Sequence, residues 1–393
     1  MNILVANLGS TSFKYRLFRL TEGTELLVAK GGYERVTDFG RAVEDCLAAL
    51  QTEGHLSSPA DLNGVGFKAV HGGEVTGCLA ADEKVEAALL AAADLAPAHN
   101  PVYAAGIRQF RAKLPGVPLV ALFETAFYQW VQEPARRYAV PEAWFQAGVR
   151  RYGFHGASHK FIAERSAELL QRPDVAKVTR ELYQAGPQAC SGPALRVISC
   201  HLGGSSSVTG IRNGVAIGTS MGLSAQSGLP QNNRVGDLDS FTIPYIQRKL
   251  SLSMEEIEHQ LSKESGLLGL SGVSNDLRDI RAAALKGDAR ATLAIETLVH
   301  SIRHWVGAFW FALGGCDCLV FTGGIGENNP WLRDMVCAGL TELGLALDPA
   351  RNTAGVPETN LAAANSRTQV IAIPANEELV VARETLRHLS ARN

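Results

Sequence analysis

Apolar residues recur along the chain in two rhythms. Short runs such as Ile3-Leu4-Val5-Ala6, Val65-Gly66-Phe67, Val197-Ile198-Ser199-Cys200 and Leu319-Val320-Phe321 are nearly continuous and end in glycine or serine turns. That pattern predicts strands covered on both faces. Between them, apolar positions return every three to four residues over about 41–52, 83–94, 102–113, 158–170, 293–311 and 377–389, which predicts helices there. Strands alternating with helices predict an α/β protein. The stretch 171–194, with Pro173, Pro187, Gly192 and Pro193, predicts an irregular surface excursion before the next strand.

The turns repeat by halves. Asn7-Leu8-Gly9-Ser10-Thr11-Ser12 links the first strand to Phe13-Lys14-Tyr15-Arg16-Leu17-Phe18, and at mid-chain His201-Leu202-Gly203-Gly204-Ser205-Ser206-Ser207 links Val197–Cys200 to Val208-Thr209-Gly210-Ile211. Likewise, Val65 to Glu74 and Leu319 to Glu327 each read as a buried strand ending in a glycine pair. One such loop is an ordinary turn, but four paired by halves imply a duplicated unit. Small residues at a strand end let backbone N–H groups approach an anion, and serine hydroxyls add donors, so the two hairpins predict a nucleotide cleft between the halves.

Isolated polar residues in apolar settings surround these turns: Lys14, Lys68, His71, His99, Glu124, His155, His159, His201, Arg234 and Glu377. Cations beside phosphate loops suit phosphoryl transfer, where charge spreads over the equatorial oxygens, and carboxylates there suit Mg²⁺. For each histidine alone, a hydrogen-bonded core or hinge residue is the better reading. Arg234 stands out because it lies in the polar loop Gln231 to Asp237.

With 37 Lys plus Arg against 39 Asp plus Glu, the net charge is −2 and no long run of one sign occurs, which argues against a nucleic-acid or membrane-surface binder. No apolar stretch reaches the ~18 residues of a membrane span, and the N-terminus lacks a basic, cleavable leader pattern, so a cytoplasmic location is expected. The seven cysteines are odd in number and scattered in apolar runs, as reduced core thiols would be; Cys316-Asp317-Cys318 has the wrong spacing for a zinc knuckle.

Together the Asn7–Lys14 turn, Val70-His71-Gly72-Gly73-Glu74, His99-Asn100-Pro101, Tyr152 to His159, Cys200-His201-Leu202-Gly203, Ser265-Gly266, Ser274-Asn275-Asp276, Phe321 to Asn328 and Asn376-Glu377-Glu378-Leu379 resemble the acetate kinase family, in that family's order and over nearly the whole chain. The resemblance implies duplicated ribonuclease H-like domains of the sugar kinase/Hsp70/actin type, expected over 1–148 plus 378–393 and over 149–377. It also implies a homodimer, and reversible ATP- and Mg²⁺-dependent phosphorylation of a short-chain carboxylate to an acyl phosphate. By position, Asn7, Ser10, Ser12 and Lys14 would form the first phosphate loop, with Asn7, Glu124 and Glu377 on the metal side. His155, Arg234 and Lys68 would be catalytic. His201, Gly203, Gly204, Ser205 and Gly324 would line the nucleotide phosphates, and Asp276, Leu277, Arg278, Ile325, Gly326 and Asn328 the adenosine. Val70, Ala98, His99, Phe154 and Ala225 would receive the acid.

Departures from the family's pattern cluster at the reacting end. Lys68 stands where the family has arginine, so the planar fork is replaced by a point charge. Glu124 replaces aspartate, Gly204-Ser205 an Asn-Gly pair, Ser224-Ala225-Gln226-Ser227-Gly228-Leu229 a Thr-Pro-Leu-Glu-Gly-Leu segment, and Asn232-Asn233 a Gly-Thr pair. Ala98 and Ala225 are smaller than the family's leucine and proline, which predicts room for an acid longer than acetate. Two other readings stay open at this level: a nucleotide-driven conformational switch without turnover, and phosphorylation of a hydroxyl, for which Glu124 is the candidate base.

Overall fold

Both strand-turn-strand units form in the computed structural model, which describes residues 1–21 and 23–391. In the first half, β1 (Asn2–Gly9), β2 (Ser12–Thr21) and β3 (Thr24–Glu34) make an antiparallel meander. β4 (Gly64–Ala69) runs parallel to β1, β6 (Leu119–Phe123) parallel to β4, and β5 (Cys78–Ala80) closes the edge antiparallel to β6. In the second half, β7 (Arg196–Leu202), β8 (Ser206–Arg212) and β9 (Val215–Thr219) repeat the meander, and β10 (Cys318–Thr322) and β11 (Gln369–Ala372) follow in parallel. The orders β3-β2-β1-β4-β6 and β9-β8-β7-β10-β11 are the same path traced twice, which is the duplicated α/β fold expected from the turns. The inner parallel strands are sequestered from water, β6 and β10 at every residue, and their unbroken apolar sequences follow from that double cover.

The last helix, Glu377–Ser390, lies across the first sheet against β4, β1 and β6. Its close approach depends on Gly66, where a Cβ would collide with Thr385. Arg392 and Asn393, in the C-terminal stretch assigned to the first domain, lie outside the described residues. Between the sheets sits the helix Gly156–Leu169, buried along most of its length and packed on β7 and on the last helix. Lys160 from this helix and Glu384 from the last one are 1% and 0% exposed, and their Nζ and Oε1 atoms are 2.6 Å apart. Arg387 also reaches Glu384, and Glu164 gathers Arg387, Arg180 and Arg383 at the rim. His159, the residue before Lys160, bridges Ser199 of β7 and Ser207 of β8, with both ring nitrogens 2.8 Å from a hydroxyl.

One sequence expectation changes, and two features go beyond the sequence reading. The stretch 171–194 contains a helix, Pro173–Ala185, that buries Val175, Ala176, Val178, Thr179 and Leu182; Pro173 occupies its first turn, where a missing N–H costs nothing. The segment after β9 also folds into short helices, among them Thr242–Leu250, Gly266–Ser271 and Leu277–Leu285. The paired glycine loops are not equivalent, because Gly72-Gly73 stays irregular while Gly323 opens a helical turn, Gly323–Asn328. All seven cysteines are free thiols, six of them buried, and Asp317 between Cys316 and Cys318 pairs with Arg196. Among the described residues, no helix is long and apolar enough to cross a membrane.

Replacing Glu384 by leucine leaves Lys160 as an unpaired buried charge. The expected loss is about 3–5 kcal/mol in urea unfolding, and a change under about 1 kcal/mol would show that the pair is dispensable. The core histidines set a pH trend as well. Burial pushes His71 down to about 4 and His159 well below the usual imidazole range. Below about pH 6.5 the unfolded chain therefore binds more protons than the native one. The stabilisation is complete above that pH and declines as pH falls towards 4, by up to about 1.4 kcal/mol per unit for each neutral-held histidine. Thermal melts that stay level from pH 7.5 to 5 would contradict this.

Candidate active site

The C-terminal ends of β4 and β6 and the N-terminus of the last helix converge on one point. Lys68, the only residue of β4 with side-chain exposure, donates from Nζ to Glu377 Oε2 and lies 3.4 Å from Glu124 Oε1. Glu124 follows β6, its N–H bonded to the Ala69 carbonyl (2.8 Å) and its carbonyl to the Gly156 N–H (2.9 Å), so it is fixed between the sheet and the central helix. Glu377 opens the last helix, where the helix dipole favours a carboxylate. Both Glu124 carboxylate oxygens are buried without a hydrogen bond. Burial pushes Glu124 up to about 6, against the pull of Lys68. Burial works in the same direction on Glu377, but Lys68 outweighs it and holds that carboxyl below its usual value. Desolvation opposes the charge on Lys68, yet the two carboxylates raise its pKa well above that of a free lysine.

His155 caps the central helix with a left-handed backbone (φ 60°), a conformation that costs a non-glycine residue roughly 1 kcal/mol. Its Nδ1 lies 2.8 Å from Ser207 Oγ, and its ring stacks on His201 with centroids 4.2 Å apart. His201, at the end of β7, is held through Nδ1 by Ser158 Oγ at 2.8 Å. Burial, reinforced by the neighbouring rings and cations, keeps His155 neutral; burial does the same to His201. Both rings thus act as neutral hydrogen-bonding groups at pH 7.

Arg234 enters from the second half. Its Nη1 lies 3.3 Å from both Ser205 Oγ and Gln231 Oε1. Gln231, 1% exposed, also accepts from Ser205 Oγ (2.7 Å) and donates to the Ala225 carbonyl (2.7 Å), so one amide ties together the β7–β8 hairpin, the Ser224–Ser227 segment and the arginine. Among the described residues no carboxylate lies within ion-pair distance of Arg234, and burial alone lowers its pKa. A guanidinium held by neutral acceptors retains its charge for an incoming anion. His99 is within electrostatic reach of Arg234, Lys68 and Lys263, which add to burial in lowering its pKa.

The nucleotide candidates fall into separate groups. In the hairpin, Gly203 N–H bonds Ser206 Oγ at 3.1 Å, and the Asn232 N–H reaches the Gly204 carbonyl at 3.3 Å. Gly323 (φ 77°) packs so closely on this hairpin that a Cβ would lie 2.6 Å from the Leu202 carbonyl; Gly324 beside it faces open space. Asn328 donates to the Gly324 carbonyl (3.0 Å), Ile325 is half-buried and the Gly326 carbonyl accepts from Arg333 (2.8 Å). Asp276 caps the Leu277–Leu285 helix and pairs with Arg278 at the surface, while Leu277 is buried in the second core.

On the first hairpin, Asn7 and Lys14 face each other across β1 and β2, and Asn7 Oδ1 accepts from Tyr103 OH at 3.1 Å. Ser10 is exposed at the turn, Ser12 half-buried, and Lys14 pairs with Glu34 at 3.3 Å. Of the acyl candidates, Phe154 is buried beside His71, Val70 and Ala225 are half-buried, and Ala98 is exposed. The structure thus joins Lys68, Glu124, Glu377, His155, His201 and Arg234 in one cleft, with Lys14 and the Asp276–Arg278 pair each engaged elsewhere. Gln231, Ser207, Ser158 and Tyr103 were not singled out by sequence; the polar loop around Arg234 was the only hint of Gln231.

Comparison with known proteins agrees with this architecture. A model of the Acetokinase family matches residues 30–383. The acetate kinase of Dictyoglomus thermophilum is 38% identical over an alignment covering 98% of this chain and 99% of its own. The crystal structure of Porphyromonas gingivalis acetate kinase superposes with a TM-score of 0.87 at 33% identity, covering 99% of each chain. That of a propionate kinase from Francisella tularensis gives 0.85 at 32% identity, covering 98% of this chain and 99% of that one. With the doubled sheet, the shared cleft and near-complete coverage by these relatives, the chain belongs to the acetate kinase family of phosphotransferases.

Proposed function

We propose that this protein transfers the γ-phosphoryl group of ATP to a short-chain carboxylate, reversibly, and that the acid is longer than acetate. The observation that carries this reading is the convergence, in one cleft, of Arg234, which has no carboxylate partner among the described residues, with the neutral His155 and the Glu124–Glu377 pair. A carboxylate acceptor is ionised at neutral pH, so no residue need remove a proton from it. One of its oxygens forms the new bond to phosphorus as the bond from phosphorus to the β–γ bridging oxygen breaks, and ADP leaves with that oxygen. Arg234 offsets charge on the acceptor and the phosphoryl oxygens, and the His155 ring, oriented by Ser207, hydrogen-bonds the group in flight.

The unbonded oxygens of Glu124, beside Glu377, are the hard donors Mg²⁺ prefers, so these two carboxylates would hold it through water, with Asn7 on the same side. Bound there with ATP, Mg²⁺ would neutralise the β- and γ-phosphate oxygens. Lobes comprising 1–148 plus 378–393 and 149–377 would close on the nucleotide, with Gly203, Gly204, Ser205 and Gly324 along its phosphates and Asp276, Arg278, Ile325 and Asn328 about its adenosine. A cytoplasmic homodimer is proposed from the family resemblance. The exposed Phe241, Tyr245 and Phe311 offer apolar surface that a second copy would cover.

Incubation of the protein with ATP, Mg²⁺ and each acid in the presence of hydroxylamine is expected to give a hydroxamate, with propionate or butyrate exceeding acetate in kcat/KM by about 10-fold. Ala98→Leu should shift preference back towards acetate. A hydroxamate only from acetate would show that the space beside Ala98 and Ala225 is filled; nucleotide binding without any hydroxamate would favour the switch reading. Arg234→Ala is expected to lower kcat/KM by about 10- to 150-fold, the worth of one charge-assisted hydrogen bond formed in the transition state. Steady-state kinetics beside an unchanged melting temperature would check this, and near-native activity would remove Arg234 from the mechanism.

A further inference from the structure

The acidic pair of the cleft already holds a cation belonging to the chain. Lys68 Nζ donates to Glu377 Oε2 and sits 3.4 Å from Glu124 Oε1, with side-chain exposures of 24%, 16% and 6% for Lys68, Glu377 and Glu124. One ammonium against two carboxylates leaves a single negative charge, and it is unevenly placed. Glu377 takes the hydrogen bond from the ammonium, whereas Glu124 is met by it only at 3.4 Å and has neither oxygen in a hydrogen bond of good geometry. Glu384 differs by degree: Lys160 and Arg387 both hydrogen-bond its Oε1, and only its Oε2 is left without a bond, whereas Glu124 has neither oxygen satisfied in that way. A divalent cation placed on the same carboxylates with Lys68 still in place would set three positive charges against two negative ones within a few ångströms, in surroundings that screen poorly. The four-carbon stem of lysine lets the ammonium leave by rotation, which a fork locked on two carboxylates would resist.

We propose that Lys68 is a resident counter-ion that competes with the divalent cation for Glu124 and Glu377, and that it swings from these carboxylates to the phosphates when metal and nucleotide arrive together. This deepens the kinase reading and rests on it. Without nucleotide, the metal must displace the ammonium with no anion to receive it, so binding is weak. With nucleotide, phosphate oxygens complete the metal's shell and give Lys68 a new partner. The substitution of lysine for the family's arginine then acquires a role: the cleft binds metal appreciably only as the metal–nucleotide complex.

The test uses Mn²⁺ alone, titrated into the full nucleotide-free chain and followed by the electron paramagnetic resonance signal of the free ion. Lys68→Met and Lys68→Gln are expected to bind Mn²⁺ about 10-fold more tightly than the wild type or better, since a cation has been removed from beside its ligands. Adding Glu377→Gln to either variant should abolish that gain, and ADP should tighten Mn²⁺ binding far more in the wild type than in the Lys68 variants. Lys68→Arg, which keeps a cation on the pair, should bind Mn²⁺ no more tightly than the wild type. Equal or weaker Mn²⁺ binding in whichever of the Met and Gln variants shows a native circular dichroism spectrum would overturn the proposal, as would a gain that survives Glu377→Gln. Should neither fold, tight Mn²⁺ binding by nucleotide-free wild type would overturn it and weak binding strongly tightened by ADP would support it. Hydroxamate formation by the wild type stands apart from all of these results, so failure of the counter-ion and failure of the kinase reading are separable.

Discussion

Two carboxylates brought together at the end of a sheet and largely withdrawn from water are hard to keep ionised together unless a cation stands beside them. Glu124 and Glu377 meet that constraint through Lys68, and the three come from parts of the chain far apart in sequence. β4 supplies the lysine, the end of β6 one glutamate, and the start of the last helix the other. Each is placed by an element whose own position is fixed by packing: the glycines of β4 admit the last helix closely, and the Glu124 backbone is bonded to β4 on one side and the central helix on the other. The cleft's charge balance is therefore built into the joining of sheet and helices.

The same helices are joined a second time, deeper in the protein. Lys160 and Glu384 lie one to two turns beyond His155 and Glu377 on their respective helices, so the buried pair fixes the register between the element that presents the imidazole and the element that presents the carboxylate. His159 ties the central helix to β7 and β8 through two serine hydroxyls, and one of these, Ser207 Oγ, also orients His155. Ser207 has one proton to give, so at most one of the two rings accepts from it and the other must donate, which couples their tautomers. Across the cleft, Gln231 does for Arg234 what Ser207 does for His155: it is a neutral, buried group that positions a cleft side chain without neutralising it.

Local pattern made the strands, the two hairpins and the long helices legible, because continuous apolar runs and 3.6-residue spacing reflect burial that each element decides largely for itself. The duplication was legible for the same reason, as turn chemistry that recurred by halves. What escaped were features decided by tertiary context. Pro173 was read as a breaker when it starts a helix, and the short helices after β9 have too few turns to show a period. Lys160 and Glu384 look like ordinary surface residues of amphipathic helices until two helices are packed face to face. Lys68, Glu124 and Glu377 were each noticed as polar residues in apolar settings and the two carboxylates as suited to Mg²⁺, but their meeting at one point depends on the packing of sheet and last helix. Nothing along the chain said that Lys68 would rest on them rather than reach for substrate.

That placement of Lys68 is open to direct observation. Crystals of the protein grown near pH 7 without nucleotide or divalent metal, and crystals with Mg²⁺, ADP and aluminium fluoride as a mimic of the transferring phosphoryl group, would show the side chain in both situations. Lys68 Nζ should lie within hydrogen-bond distance of Glu377 in the first, and in the second should have left both carboxylates for the fluoride or phosphate oxygens. A lysine still seated on Glu377 and Glu124 beside a bound Mg²⁺ would contradict the view that one cation replaces the other.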